Sequence, residues 1–205
     1  MILFPSSVIG QEFTNGIDTT FPWDIKPDKP IQVIINAKTS ISVEKIDAIK
    51  KVIMSENSFT KDGKTFYEGW RGALNEVSEH STRLSIPTTF NIIESYQAGS
   101  KIIITLTPSK DANGNSGFTR SVVEHHRLVG ANITIYDIDS LTVKEITTIT
   151  RHEFGHALGL GHSTDPEDLM YEEIITLNPF ISDCHINAIT ELYNEKTLNH
   201  ILCEK

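Results

Sequence analysis

Cysteine is nearly absent from this sequence: of 205 residues, only Cys184 and Cys203 carry a thiol. That scarcity excludes a disulfide-dense scaffold and leaves two readings open, one bridge between the last helical segment and the tail, or two free thiols. A bridge across that separation would stabilise by roughly 3 kcal/mol through loop closure. Basic runs are lacking too. No more than two Lys or Arg stand together, and 27 acidic against 18 basic residues leave a net charge of -9. This balance argues against a nucleic-acid or anionic-membrane partner. Long apolar runs are also missing: Met1 to Phe4 is followed at once by Pro5, too short for a signal-peptide core or a membrane span. The expectation is a chain that stays inside the cell, or one whose leader lies outside this sequence. What is present is ordinary for a soluble enzyme-sized domain, with 39% hydrophobic and 22% charged residues and enough length for one sizeable core.

The informative stretch is Arg151 to Ser163, R-H-E-F-G-H-A-L-G-L-G-H-S. His152 and His156 stand four apart, which on an α-helix places both imidazoles on one face within reach of one cation. Gly159 sits where a helix would end in a left-handed residue, a conformation that side chains with a Cβ adopt at a cost. The chain can then reverse and bring His162 to the same point. Three neutral nitrogens with a fourth position left for water is the pattern of a catalytic zinc site. Glu153, next to the first histidine, can take a proton from that water. A lone H-x-x-x-H is most often two unrelated histidines; here five fixed identities agree with one geometry, which makes the motif far more specific.

The full H-E-x-x-H-x-x-G-x-x-H resembles the signature of the metzincin metallopeptidases. His162 to Tyr171, H-S-T-D-P-E-D-L-M-Y, resembles the matrixin run from the third histidine through the Met-turn, and Ile181 to Asn194 resembles the segment opening the last matrixin helix. The close match covers about the last quarter of the chain. The resemblance implies one catalytic zinc on His152, His156 and His162, Glu153 as general base, and Met170 as an apolar floor beneath the metal that does not ligate it. Metzincins that use a tyrosine to stabilise the transition state carry it two positions after the Met, so that role is not carried to Tyr171. Matrixins also hold a second, structural zinc, but His125-His126 lack the spacing of that site and read as solvated. A latent matrixin caps its metal with a pro-segment cysteine, which has no counterpart before the active site here. Two departures stand out. Glu172-Glu173-Ile174 replaces the Pro-x-Tyr that walls the pocket after the cut bond, and Cys184-His185 replaces the adjacent aspartates, one of which holds a freed N-terminus.

Along the chain, residues 1 to 30 are rich in Pro, Gly, Thr and Asn and read as an irregular extension draped over the domain. Ile31 to Ala37 suits a buried strand, and Ser42 caps a helix whose stripe is Val43, Ile46, Ile49, Lys50, Val52 and Ile53. Asn57 to Lys64, with its Asp62-Gly63 turn, reads as an insertion, followed by a helical segment with Phe66, Trp70, Ala73, Leu74 and Val77 that ends near His80. Ile86 to Ile93, Lys101 to Pro108, a short edge strand at Phe118 to Glu124, and Asn132 to Ile138 complete a five-stranded set. Asp111, Asn113 and Asn115 repeat like the first half of a calcium loop, but no carboxylate follows at the twelfth position, so a turn-forming loop is favoured. Thr142 and Glu145 form a capping box that starts the metal helix, with Ile146 and Ile149 on its buried face. Ser182 caps the last helix, whose stripe is Ile186, Ile189, Leu192 and Tyr193.

The resemblance implies an α+β, zincin-like metzincin catalytic domain: a twisted five-stranded mixed sheet with one antiparallel edge strand, two main helices and a small C-terminal subdomain. Residues 31-205 form that single domain, divided into an upper part, 31-162, and a lower part, 163-205. The function implied is a monomeric zinc metalloendopeptidase that holds a protein or peptide as an extended strand near Gly117 to Glu124. Rival readings are an exopeptidase and a non-catalytic zinc-stabilised binding module. Calcium or a second zinc has weak support, and the family resemblance leans towards a secreted or cell-surface protein.

Overall fold

The structure, a computed structural model, describes residues 15–24, 29–38, 40–80, 86–93, 101–173, 179–194 and 199–203. Its elements, in order, are β1 (Gly16–Thr19), β2 (Ile31–Asn36), α1 (Val43–Met54), β3 (Ser58–Lys61), β4 (Lys64–Tyr67), α2 (Trp70–His80), β5 (Phe90–Ile93), β6 (Lys101–Leu106), β7 (Gly117–Glu124), β8 (Arg127–Ile135), α3 (Val143–Ala157), β9 (Leu160–Ser163), β10 (Ile181–Ser182), α4 (Asp183–Tyr193) and β11 (His200–Leu202). The β-branched runs of β2, β6 and β8 bury alternate side chains, including Ile31, Val33, Ile102, Ile104, Ile133 and Ile135. They become the centre of a sheet ordered β5-β2-β6-β8-β7, parallel except for the antiparallel edge strand β7. Helices α1 and α3 pack against each other and α3 against β7 and β8, so α3 lies directly under the sheet edge.

Local chemistry sets where α3 begins. Thr142 accepts a hydrogen bond from the Glu145 amide and Glu145 accepts one from the Thr142 amide, closing the capping box. Ser42 caps α1 in the same sense, accepting from the Lys45 amide. The described part of the chain therefore carries four helices, α2 and α4 being added to the two main ones.

Several expectations are corrected. The Asn57 to Lys64 insertion is part of a β-hairpin, β3–β4, turning at Asp62 (φ 52°) and Gly63 (φ 76°); Phe66 lies on β4 and not on the following helix. An Asp-Gly pair supplies the two left-handed residues of a tight hairpin turn, and that signal outweighed the helical spacing of Phe66. Strand β8 starts at Arg127 rather than Asn132, because a two-residue turn at His125 and His126 pairs Glu124 with Arg127. Both histidines are left-handed (φ 49° and 62°), which non-glycine residues seldom are, so no turn signal announced it. Within the segment read as an irregular extension, Gly16–Thr19 is the middle strand of a second sheet, β11-β1-β9. Trp23 anchors the same segment, its indole N–H donating to the Ala157 carbonyl at 2.8 Å and its amide to the Tyr193 hydroxyl at 3.1 Å.

Cys184 and Cys203 are joined as a disulfide, with Cα atoms 5.3 Å apart, which ties α4 to the tail beyond β11. Replacing Cys203 by serine is expected to cost roughly 3 kcal/mol, or about 6–12 °C in Tm for a chain of this size. Thermal unfolding of the variant beside oxidised and reduced native protein checks this; three coincident transitions would show that no bridge forms in solution.

Candidate metal centre

His152, Glu153 and His156 lie on the last turns of α3: His152 and Glu153 are 3% and 4% exposed, and His156 is half-buried. The helix closes at Leu158, and Gly159 follows in the left-handed region (φ 102°). A Cβ at Gly159 would sit 2.6 Å from the Phe21 carbonyl oxygen, so glycine is required there twice over. The reversal leads into β9, which carries His162.

One ligand-capable nitrogen from each of His152, His156 and His162 lies within 4.8 Å of the others. The Nε2 atoms of His152 and His156 are 3.0 Å apart, close to the roughly 3.3 Å that separates two nitrogens on a tetrahedral zinc. His152 Nδ1 donates to the Leu169 carbonyl at 2.7 Å, and His156 Nδ1 donates to the Leu160 carbonyl at 2.9 Å. A carbonyl oxygen only accepts, so the protons must sit on Nδ1 and both Nε2 lone pairs face one another. Burial pushes the His152 imidazole down to about 4, and burial together with the neighbouring His152 pushes His156 to about 3. Two facing lone pairs that resist protonation are a fit for a divalent, nitrogen-preferring cation, and the donor set is that of zinc.

Glu153 faces strand β7. The Thr119 hydroxyl lies 2.6 Å from Glu153 Oε2 and 2.9 Å from the Glu153 carbonyl, and a Cβ at Gly117 would come within 2.6 Å of Oε1. Burial raises the carboxyl to about 7, opposed by the Thr119 hydrogen bond. The three imidazoles and Glu153 open onto one cleft, whose lining also includes Thr20, Gly117, Thr119, Glu172 and Glu173. Met170 is fully buried, its sulfur packed against α3 at Gly155.

The sequence-predicted site residues thus come together, while the other metal readings do not. His125 and His126 occupy an exposed turn, His126 edge-on to Phe21. The Asp111 carboxylate accepts from the Asn113 and Asn115 amides and the Asn115 side chain, as in an ordinary turn. Among the described residues, the histidine trio is the only such cluster of His, Cys, Asp and Glu. Thr119 and the carbonyls of Leu160 and Leu169 were not foreseen; main-chain acceptors leave no trace in residue identity, and Thr119 reads as one more strand residue. Of the pocket-wall departure, Ile174 lies outside the described residues, and Glu172 and Glu173 are exposed. Buried His185 donates from Nε2 to Asp168 at 3.1 Å and accepts at Nδ1 from the Ser182 amide at 2.9 Å. It holds the turn before Met170 against α4.

A family model described as Peptidase_M10, Matrixin, matches residues 56–194, more than half the chain. The chain belongs to the matrixin family. It is 37% identical over 68 residues to a probable matrix metalloproteinase 095L of Invertebrate iridescent virus 3, covering 33% of this chain and 19% of that protein. It is 61% identical over 33 residues to human matrix metalloproteinase-20, covering 16% of this chain and 7% of that protein. Over a longer stretch of 121 residues it is 28% identical to matrix metalloproteinase-18 of Xenopus laevis, covering 54% of this chain and 26% of that protein. The matched stretches span about a quarter or less of these relatives. The mixed five-stranded sheet with its antiparallel edge is the α+β fold of matrixins. No helix among the described residues is long and apolar enough to cross a membrane.

The buried histidines set a pH dependence for the metal-free chain. Unfolded imidazoles protonate below about 6.5, whereas the folded pair waits until about 4 and about 3, so the unfolded state binds more protons in between. Stability then falls as pH drops from 6.5 towards 4. Glu153 acts oppositely: its folded value of about 7 against the unfolded 4.5 lowers stability as pH rises through that window. Two histidines outweigh one carboxyl below pH 6. Urea unfolding of chelated protein between pH 5 and 8 is expected to show the loss on the acid side, steeper in Glu153→Gln; a flat profile would contradict the neutral, buried pair.

Proposed function

We propose that the chain is a zinc-dependent endopeptidase that hydrolyses peptide bonds, with His152, His156 and His162 as ligands, Glu153 as general base and Met170 as the apolar floor. The observation that carries this is the convergence of three imidazole nitrogens, two with their tautomers set by main-chain carbonyls, in a cleft beside a buried carboxyl group. The relatives' names, matrix metalloproteinases, support the same reading. The proposed unit is a single domain, 31-205 with strand β1 added to it, with the cleft between its upper part, 31-162, and its lower part, 163-205.

Zinc bound to the three nitrogens supplies Lewis acidity and makes water acidic near neutral pH. The chain's own residues do the rest. Strand β7 is the sheet's free edge, and its outward main-chain groups pair with an extended substrate without demanding particular side chains. Such pairing needs no free terminus, which suits cutting within a chain. Glu153, which opens onto the same cleft, takes a proton from the attacking water and returns it to the leaving nitrogen. The carbonyls of Leu160 and Leu169 keep His156 and His152 in the tautomer whose Nε2 lone pair is available to a metal.

A casein digest tests the reading. Native protein is expected to cut casein, to stop with a chelator and to recover with zinc. Glu153→Gln should retain zinc and lose about 10²–10⁴-fold in rate, the usual worth of a general base. A zinc-loaded native chain that cuts nothing would leave the non-catalytic binding module, and failure on end-blocked peptides alone would leave the exopeptidase. A Glu153→Gln chain at native rate would remove the carboxylate from the mechanism.

A further inference from the structure

We propose that Thr119 is a positioning residue: its hydroxyl bridges the carboxylate and the main-chain carbonyl of Glu153 and so fixes the aim of the general base, with Gly117 closing the other side. The inference rests on the reading of Glu153 given under Proposed function. Thr119 Oγ1 stands 2.6 Å from Oε2 and 2.9 Å from the carbonyl oxygen of the same residue. The hydroxyl's single proton, shared between these two acceptors of one glutamate, ties its otherwise loose side-chain torsions to the helix backbone. Oε1 is confined in turn by the bare α-carbon of Gly117, where a Cβ would lie 2.6 Å from Oε1, 2.7 Å from Glu153 Cγ and 2.8 Å from Ile149 Cγ2. Residues 117 and 119 point to the same side of the strand, towards α3, so two alternate positions of β7 form the seat. The same strand offers its edge to substrate in the proposed mechanism. The carboxylate is therefore referenced to the element that would position the scissile bond, and this is the geometric requirement for proton transfer.

The test uses the zinc-loaded chain and an internally quenched peptide spanning a casein cleavage site of the native protein. Thr119→Val, similar in shape but without a hydroxyl, is expected to lower kcat by about 10- to 100-fold with KM within about twofold and zinc content unchanged. Thr119→Ser restores the hydroxyl and is expected to restore kcat to within about threefold. Gly117→Ala, which presses on the carboxylate from the other side, should also lower kcat. A readout without turnover is the Tm: Thr119→Val is expected to lower it by about 3 °C in the native background, and by less in Glu153→Ala, where the hydroxyl keeps only the main-chain carbonyl as acceptor. Native kcat in Thr119→Val, equal loss in Val and Ser, or the same Tm drop in both backgrounds would overturn the clamp. The two readings fail separately: an inactive Glu153→Gln beside a fully active Thr119→Val sinks only the clamp, whereas a fully active Glu153→Gln sinks the general base itself.

Discussion

Two imidazole lone pairs held face to face at 3.0 Å are the constraint around which this molecule is built. Left alone they repel, and the usual remedy, a shared proton, is opposed by burial that pushes both rings well below their ordinary value. The carbonyls of Leu169 and Leu160 remove the other escape, since each occupies the Nδ1 proton and forbids the tautomer that would place one hydrogen between the rings. A cation that accepts nitrogen donors relieves all three conditions together. The same arrangement would be a poor way to stabilise a structural core, where two apolar side chains would pack at less cost.

Holding that arrangement requires a helix that cannot shift, and α3 is fixed along its buried length by polar as well as apolar contacts. Arg151, His152 and Glu153 are consecutive, charged or polar, and all buried, and each finds partners on a different element. Arg151 donates to the carbonyls of Glu68 and Pro179 and lies 4.9 Å from the centre of the Phe180 ring. Burial lowers its guanidinium only to about 10, so it keeps its charge. Trp70 donates in turn to the Arg151 carbonyl at 3.0 Å. These contacts pin α3 to the β3–β4 hairpin region, to the segment before β10 and to α2, while Ile146 and Ile149 bury its first half. Buried polar groups cost stability unless satisfied, and their satisfaction at several independent points specifies one helix position rather than a range.

What could be read from the sequence follows from how local each feature is. The metal helix, its capping box, the glycine that ends it and the pair His152 and His156 depend on residues a few positions apart, and all lie where the spacing put them. The central strands were legible because their β-branched runs carry the buried face. Features decided by distant partners were not. The His125-His126 turn has no glycine or asparagine to mark it, and the β3–β4 hairpin was obscured by apolar spacing that suits either period. Thr119 acquires its contact only when β7 meets α3, 34 residues later. The cysteine pair stood open between bridge and free thiols because fold alone decides whether the two Cα atoms come within reach.

His162 shows most clearly why the last piece of the site is non-local. Its two companions ride on one rigid helix, but it sits exposed on β9, a strand of four residues that could not hold a position by itself. Strand β9 is paired with β1, Ile17 opposite Ser163 and Thr19 opposite Leu160, and β1 is paired on its other side with β11. Beyond β11, Cys203 is bonded to Cys184 on α4, and the neighbouring His185 reaches back to Asp168 in the turn whose Leu169 carbonyl orients His152. The two positions that depart from the family's paired aspartates, Cys184 and His185, therefore close a loop of contacts around the centre, one towards the third histidine and one towards the first. On this argument Gly16–Thr19, in the stretch least structured by composition, is the strand on which the placement of His162 depends. The tail acts through it, by the pairing of β11 with β1.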